Sequence, residues 1–162
     1  MAFGYEENLP EFEQDMERVK NALLAYAWDE ESGYFGYAVQ GQDGVHILRT
    51  EAGENYNKGV DGVTPLIAGI CSKEQEKQLL KHLKSPEELW SPVGISTVDM
   101  SASYYYDNGY WNGSVWCPYQ YFLWKAMLDI GEGQFAFDIA HRGLNSWKQE
   151  IEFSYNTFEM IQ

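Results

Sequence analysis

Five stretches of this chain have helical periodicity, and they alternate in how much charge they carry. Residues 60–70 and 114–130 are short on charge, whereas residues 11–28, 72–84 and 133–151 are charged on one face. A helix that is apolar on most sides has to be enclosed, and a helix with one polar face lies at the boundary with water. Alternation along the chain therefore predicts an all-α fold with two concentric layers of helices, the inner enclosed by the outer. A plain bundle would make all the helices alike.

Local signals set the boundaries. Met16, Val19, Leu23, Tyr26 and Ala27 recur at helical spacing in the first helix, and residues 29–33 read as a turn. Two short runs rich in aromatic and β-branched residues, 34–39 and 45–48, flank Asp43-Gly44 and predict a small β-hairpin. Thr64-Pro65 suits a first helical turn, and Ser72 with Gln75 makes a capping box for the next helix. Ser85-Pro86 opens a further turn of helix or a loop. Residues 90–113, with Pro92, Gly94, Gly109 and Gly113, form the longest irregular stretch. Gly131 stops the fourth helix, and residues 154–162 read as the start of another segment.

With 162 residues the chain has room for one domain, 1–162, with a core. Its 25 acids against 11 bases give a net charge of −14, which repels nucleic-acid phosphates and anionic membranes. Neither nucleic acid nor membrane is expected as a partner. Cys71, Cys117 and three scattered histidines show no metal spacing, so no metal and no cofactor are expected. No stretch is apolar enough to span a bilayer, and residues 1–10 lack an apolar targeting segment.

Aromatic residues make up 16% of the chain, much of it Tyr (12) and Trp (6). The run Tyr110-Trp111-Asn112-Gly113-Ser114-Val115-Trp116 concentrates them. An indole offers a flat apolar face, and an amide offers donors and an acceptor, which is the combination a sugar needs. Trp111, in the loop, is the better sugar platform; Trp116, on the apolar helix, reads as core.

That run, with Leu89-Trp90-Ser91-Pro92-Val93-Gly94-Ile95-Ser96-Thr97-Val98-Asp99 before it, resembles the inverting glycosidases of glycoside hydrolase family 63. Relatives of that family include processing α-glucosidases, mannosylglycerate hydrolases and, more distantly, trehalases. Trp28-Asp29 followed by Gly33-Tyr34-Phe35 resembles the family's hairpin, and Pro65-Leu66-Ile67-Ala68-Gly69-Ile70 also fits. Asn112 stands where the family has Arg, and Ser114 where it has Pro. The resemblance covers nearly the whole chain but only the C-terminal part of a family catalytic domain. It implies a partial (α/α)6 toroid with a small β-hairpin, and an oligosaccharide or glycoside as ligand. It also implies that the open inner faces are completed by the missing N-terminal part of the barrel or by self-association.

Inverting hydrolysis needs two carboxyl groups about 6.5–9.5 Å apart, one to protonate the leaving oxygen and one to deprotonate water. The family's base is a late Glu, and the matching segment here is Asn156-Thr157-Phe158-Glu159-Met160. The resemblance implies Glu159 as general base, with the general acid, an Asp, upstream of residue 1. Trp111, Asn112, Asp99, Trp90 and Tyr110 are the candidate sugar contacts. Each also has a structural role open to it: Asn112 as a turn residue, Asp99 as a cap, Trp90 as a loop anchor. A chain with half the carboxyl pair would be nearly inactive alone. The other reading is a helical carbohydrate-binding or scaffold module without catalysis.

Overall fold

The computed structural model describes residues 9–161. The fold is helical, with small antiparallel hairpins. The chain divides into two compact units, Met1–Tyr56 and Asn57–Gln162.

In the first unit, α1 (Leu9–Tyr26) carries its apolar stripe through Leu9, Phe12, Met16 and Val19, all exposed. The helix starts and ends two residues earlier than the periodicity predicts. Its end is early because Trp28 and Asp29 leave the helix as β1 (Trp28–Asp29) and pair with β2 (Tyr34–Phe35). The turn between them is built by Asp29. Its Oδ2 accepts from the Ser32 hydroxyl at 2.7 Å, its Oδ1 from Arg49 at 2.7 Å, and Gly33 takes the positive φ of 64° that closes it. Burial pushes the Asp29 carboxyl up, but these donors and the Arg49 charge together hold it below the ordinary value.

The predicted hairpin is present but shifted. β3 (Ala38–Gly41) pairs with β4 (Gly44–Ile47), while Tyr34 and Phe35 belong to the preceding hairpin. Gly36 separates the two. A Cβ there would meet the Ile47 and Asn55 side chains at 2.6 and 2.9 Å, so the close approach of chain to chain requires glycine.

In the second unit, the predicted helix over 60–70 is split. A 3-10 turn, Val60–Val63, leads into α2 (Thr64–Ile67), with Pro65 in its first turn and Gly69 at φ 68° ending it. Val60, Val63, Pro65 and Leu66 are buried, while Asp61, Thr64 and Ala68 face water. α3 (Lys73–Lys84) opens with the predicted capping box: the Ser72 hydroxyl accepts from the Gln75 amide, and the Gln75 side chain accepts from the Ser72 amide. It buries Leu79 and Leu83 completely, each contributing about 1.5–3 kcal/mol.

α4 (Cys117–Asp129) and α5 (Gly133–Ser154) form a helical hairpin around Gly131, whose φ is 87°. Leu123, Ala126 and Met127 of α4 are buried, as are Phe135, Ala136 and Ile139 of α5. The charge-poor helix is nonetheless not enclosed on all sides. Tyr121, Phe122 and Leu128 remain exposed, and an apolar cavity of about 340 Å³ opens between Tyr121, Trp124, Leu144 and Trp147. α4 is also shorter than predicted, because Val115 and Trp116 form a strand.

The irregular stretch is partly ordered by β5 (Trp90–Ser91) and β6 (Gly94–Ile95), which pair as a tight hairpin. Residues 94–99 are all buried. A buried loop is uncommon, because its peptide groups have to find partners away from water. Here side chains supply them.

Candidate functional site

The site is assembled where the chain's last described residues come back to the Trp111 loop. α5 ends at Tyr155, which adopts a left-handed conformation (φ 59°, ψ 18°) and caps the helix through its amide to the Ile151 carbonyl. The chain reverses there and adds β8 (Met160–Ile161) antiparallel to β7 (Val115–Trp116), with Trp116 opposite Met160. That register puts Glu159 beside the aromatic run. The Tyr110 hydroxyl donates to Glu159 Oε2 at 3.2 Å.

The aromatic run folds onto itself. Trp111 and Trp116 are stacked, with ring centroids 3.9 Å apart and planes 2° from parallel. The Tyr110 ring meets both edge-on, at 5.7 and 4.7 Å. Trp116 is buried and its Nε1 donates to the Tyr110 carbonyl at 2.7 Å, while Trp111 is 57% exposed. One face of Trp111 is thus covered by Trp116, which separates the two indoles into core and platform.

The loop that presents them is stiffened from below. The Ser96 hydroxyl donates to the Gly113 carbonyl at 3.0 Å, and the Thr97 hydroxyl to the Ser114 carbonyl at 2.8 Å. The Ser114 hydroxyl donates to the Gly109 carbonyl at 2.8 Å. Gln120, buried on α4, holds both polar groups of Ile95: its Oε1 accepts from the amide at 2.9 Å and its Nε2 donates to the carbonyl at 2.8 Å. Gly113 has no room for a side chain, since a Cβ would overlap the Tyr106 carbonyl.

The remaining predicted contacts lie on the frame of this loop. Asn112 donates its amide to the Tyr104 carbonyl at 2.9 Å, and its own carbonyl accepts from the Tyr106 amide. Asp99 is buried; it accepts from the Ser101 amide at 2.7 Å and lies 3.8 Å from the Lys58 ammonium. Trp90 carries the Arg142 guanidinium 3.7 Å above its ring and meets Phe135 edge-on. Tyr110, Trp111 and Glu159 are therefore brought together, while Asn112, Asp99 and Trp90 are engaged in holding backbone or side chains of the same unit.

Loss of hydration, then the charge of Glu159 and the hydrogen bond to it, raise the Tyr110 hydroxyl above the ordinary phenol value. It stays a neutral donor wherever Glu159 is ionised. A carboxylate next to an indole platform can take a proton from water while a sugar ring rests on the indole. Among the described residues no three His, Cys, Asp or Glu side chains gather as a metal site, and no helix is long and apolar enough to cross a membrane.

Ser96, Thr97, Ser114 and Gln120 were not singled out by their sequence. Gln120 carried a readable signal, a polar side chain inside a charge-poor helix, which predicts a buried amide with assigned partners. The contact between Tyr110 and Glu159 had none, because the two are 49 positions apart.

Comparison with known proteins agrees with this geometry. Residues 2–157 match the model of the mannosylglycerate hydrolase MGH1-like glycoside hydrolase domain. A probable mannosyl-oligosaccharide glucosidase of Schizosaccharomyces pombe is 28% identical over 105 residues, which is 62% of this chain and 12% of that protein. The crystal structure of a family 63 mannosylglycerate hydrolase from Thermus thermophilus in complex with glucose superposes with a TM-score of 0.68 at 22% identity, over 94% of this chain and 35% of that one. Neutral trehalase from Saccharomyces cerevisiae gives a TM-score of 0.67 at 18% identity, over 91% of this chain and 26% of that one. The two structures share the fold of this chain, and the chain spans about a third or less of each relative.

Proposed function

Since this chain belongs to the mannosylglycerate hydrolase MGH1-like glycoside hydrolase domain family, we propose that it is a segment of the catalytic domain of an inverting glycosidase acting on α-glucosides or related sugars. The single observation carrying the reading is the juxtaposition of Glu159, Tyr110 and the stacked Trp111–Trp116 pair. On this reading the segment forms part of an (α/α)6 toroid. The exposed apolar side chains of α4 and α5 and the open cavity beside them are what a toroid helix pair presents to its neighbours. The family match runs across both compact units, which supports one domain over 1–162.

Glu159 is the general base, taking a proton from the water that attacks the anomeric carbon from the face opposite the leaving group. Trp111 is the sugar platform, its open face toward the ring. Tyr110 lines the same place. Asn112, Asp99 and Trp90 set the loop's shape and so the position of the platform. The general acid belongs to another part of the parent barrel. One acid or base contributes about 10²–10⁴-fold, so the chain by itself is expected to have at most a trace of glycosidase activity.

A second reading is a carbohydrate-binding module without catalysis. It is favoured by the platform itself, a rigid exposed stack that needs no carboxylate to hold a sugar. The test is hydrolysis of an α-glucoside by a parent-length enzyme with and without Glu159→Gln. A loss of at least a hundredfold is expected, in line with the general-base contribution of about 10²–10⁴. Undiminished activity removes Glu159 from the base role, and calorimetry of maltose-type sugars against the isolated chain then decides between binding without turnover and no binding at all.

A further inference from the structure

We propose that Tyr110 is a positioning residue for the base: its phenol fixes Oε2 of Glu159 and leaves Oε1 to receive the proton of the attacking water. This rests on the reading of Glu159 as the general base.

Glu159 is poorly held by its own backbone. It is exposed, and it precedes a strand of only two residues, whose pairing with Val115 and Trp116 fixes the main chain but not the three side-chain torsions. A base that swings freely spends little of its time aimed at the water. Tyr110, by contrast, is clamped at both ends. Its carbonyl accepts from Trp116 Nε1 at 2.7 Å, and its ring lies edge-on to two stacked indoles. The hydroxyl that reaches Glu159 Oε2 at 3.2 Å is therefore a donor with a fixed address.

The chemistry suits the assignment. With Oε2 accepting from the phenol, the proton passes from water to Oε1 as the water oxygen bonds to the anomeric carbon. The bond to the leaving group breaks with its electron pair. Tyr110 loses no proton, because its hydroxyl titrates above the ordinary phenol range. The residue touches neither water nor sugar in this step; it acts through Glu159. It also links the base to the platform, since the same ring braces Trp111.

The test uses this chain. Carbon relaxation at the Glu159 Cγ methylene is measured in the wild type and in Tyr110→Phe, which keeps the ring and its contacts. The order parameter in the variant is expected to fall into the flexible range, below about 0.6. The reciprocal measurement follows the Tyr110 phenol by NMR titration, which should move down in Glu159→Gln. Release of fluoride from an α-glucosyl fluoride, whose leaving group needs no proton, reads the base half of the reaction alone. Tyr110→Phe should lower kcat about ten- to a hundredfold with KM unchanged, the cost of a misaimed group. An unchanged Glu159 order parameter, an unmoved Tyr110 titration, or wild-type kcat in Tyr110→Phe overturns the proposal while the base reading stands. Wild-type turnover in Glu159→Gln, or no fluoride release by the wild type, overturns the base reading and the positioning role with it.

Discussion

Trp111 stands on a loop tied by four buried side chains, Ser96, Thr97, Ser114 and Gln120, whereas Glu159 stands on a two-residue strand and leans on one phenol. Both belong to one candidate site, but they are held by different physics. The platform side gets its rigidity from buried hydrogen bonds that cannot be traded for water without cost. The base side gets it from a short ladder and an exposed contact, where water competes for each bond. A sugar platform tolerates no tilt, since stacking needs a whole ring face. A base needs only one oxygen aimed, and that requires less structure. The difference is open to attack from either side.

The largest effect is expected at Gln120. Gln120→Leu keeps the volume but leaves the Ile95 amide and carbonyl without their side-chain partner in a buried place. Each unsatisfied group costs about 1–3 kcal/mol, so a loss of about 3 kcal/mol in urea unfolding is expected. A loss below 1 kcal/mol would mean, on the same scale, that the platform is not held by this amide.

Trp111→Ala comes next and separates stability from binding. The ring is more than half exposed, and its stack on Trp116 is what the fold loses, about 1 kcal/mol. Sugar binding followed by titration calorimetry should fall at least tenfold, equivalent to about 1.4 kcal/mol. A larger stability loss with unchanged affinity would turn the platform into core and leave the site without a sugar surface.

Much of this was legible beforehand, and the failures share a cause. The capping box at Ser72, the glycine stop at Gly131 and the Asp43-Gly44 hairpin are local signals, and local chemistry decided them. The separation of Trp111 from Trp116 was also readable, because one sits in a loop and the other begins an apolar run. The errors arose where a distant partner outcompeted local propensity. Val115 and Trp116 read as helix, but Met160 and Ile161 recruit them as a strand. Tyr34 and Phe35 read as one hairpin with the residues after them, but Trp28 and Asp29 claim them. The end of α1 was placed two residues too late for the same reason. No periodicity records a partner 45 residues away.

The smallest effect concerns how Glu159 arrives at the site at all. Tyr155 makes the reversal between α5 and β8, and it does so in the left-handed region, where a side chain costs about 1–2 kcal/mol relative to glycine. That residue is 89% exposed, so its ring returns little through burial. Its amide bond to the Ile151 carbonyl survives any substitution but proline. Tyr155→Gly removes the strain and keeps the cap, while making the unfolded chain more flexible, so a net gain of about 0.5 kcal/mol is expected. The variant should raise the urea midpoint slightly and leave the Trp111 loop's amide exchange unchanged, since that loop is held by other bonds. Slower exchange confined to residues 160–161 would show that the base side is limited by its reversal. Slower exchange in both places would show that the platform and the base are one cooperative unit, and the contrast between them would then be one of degree.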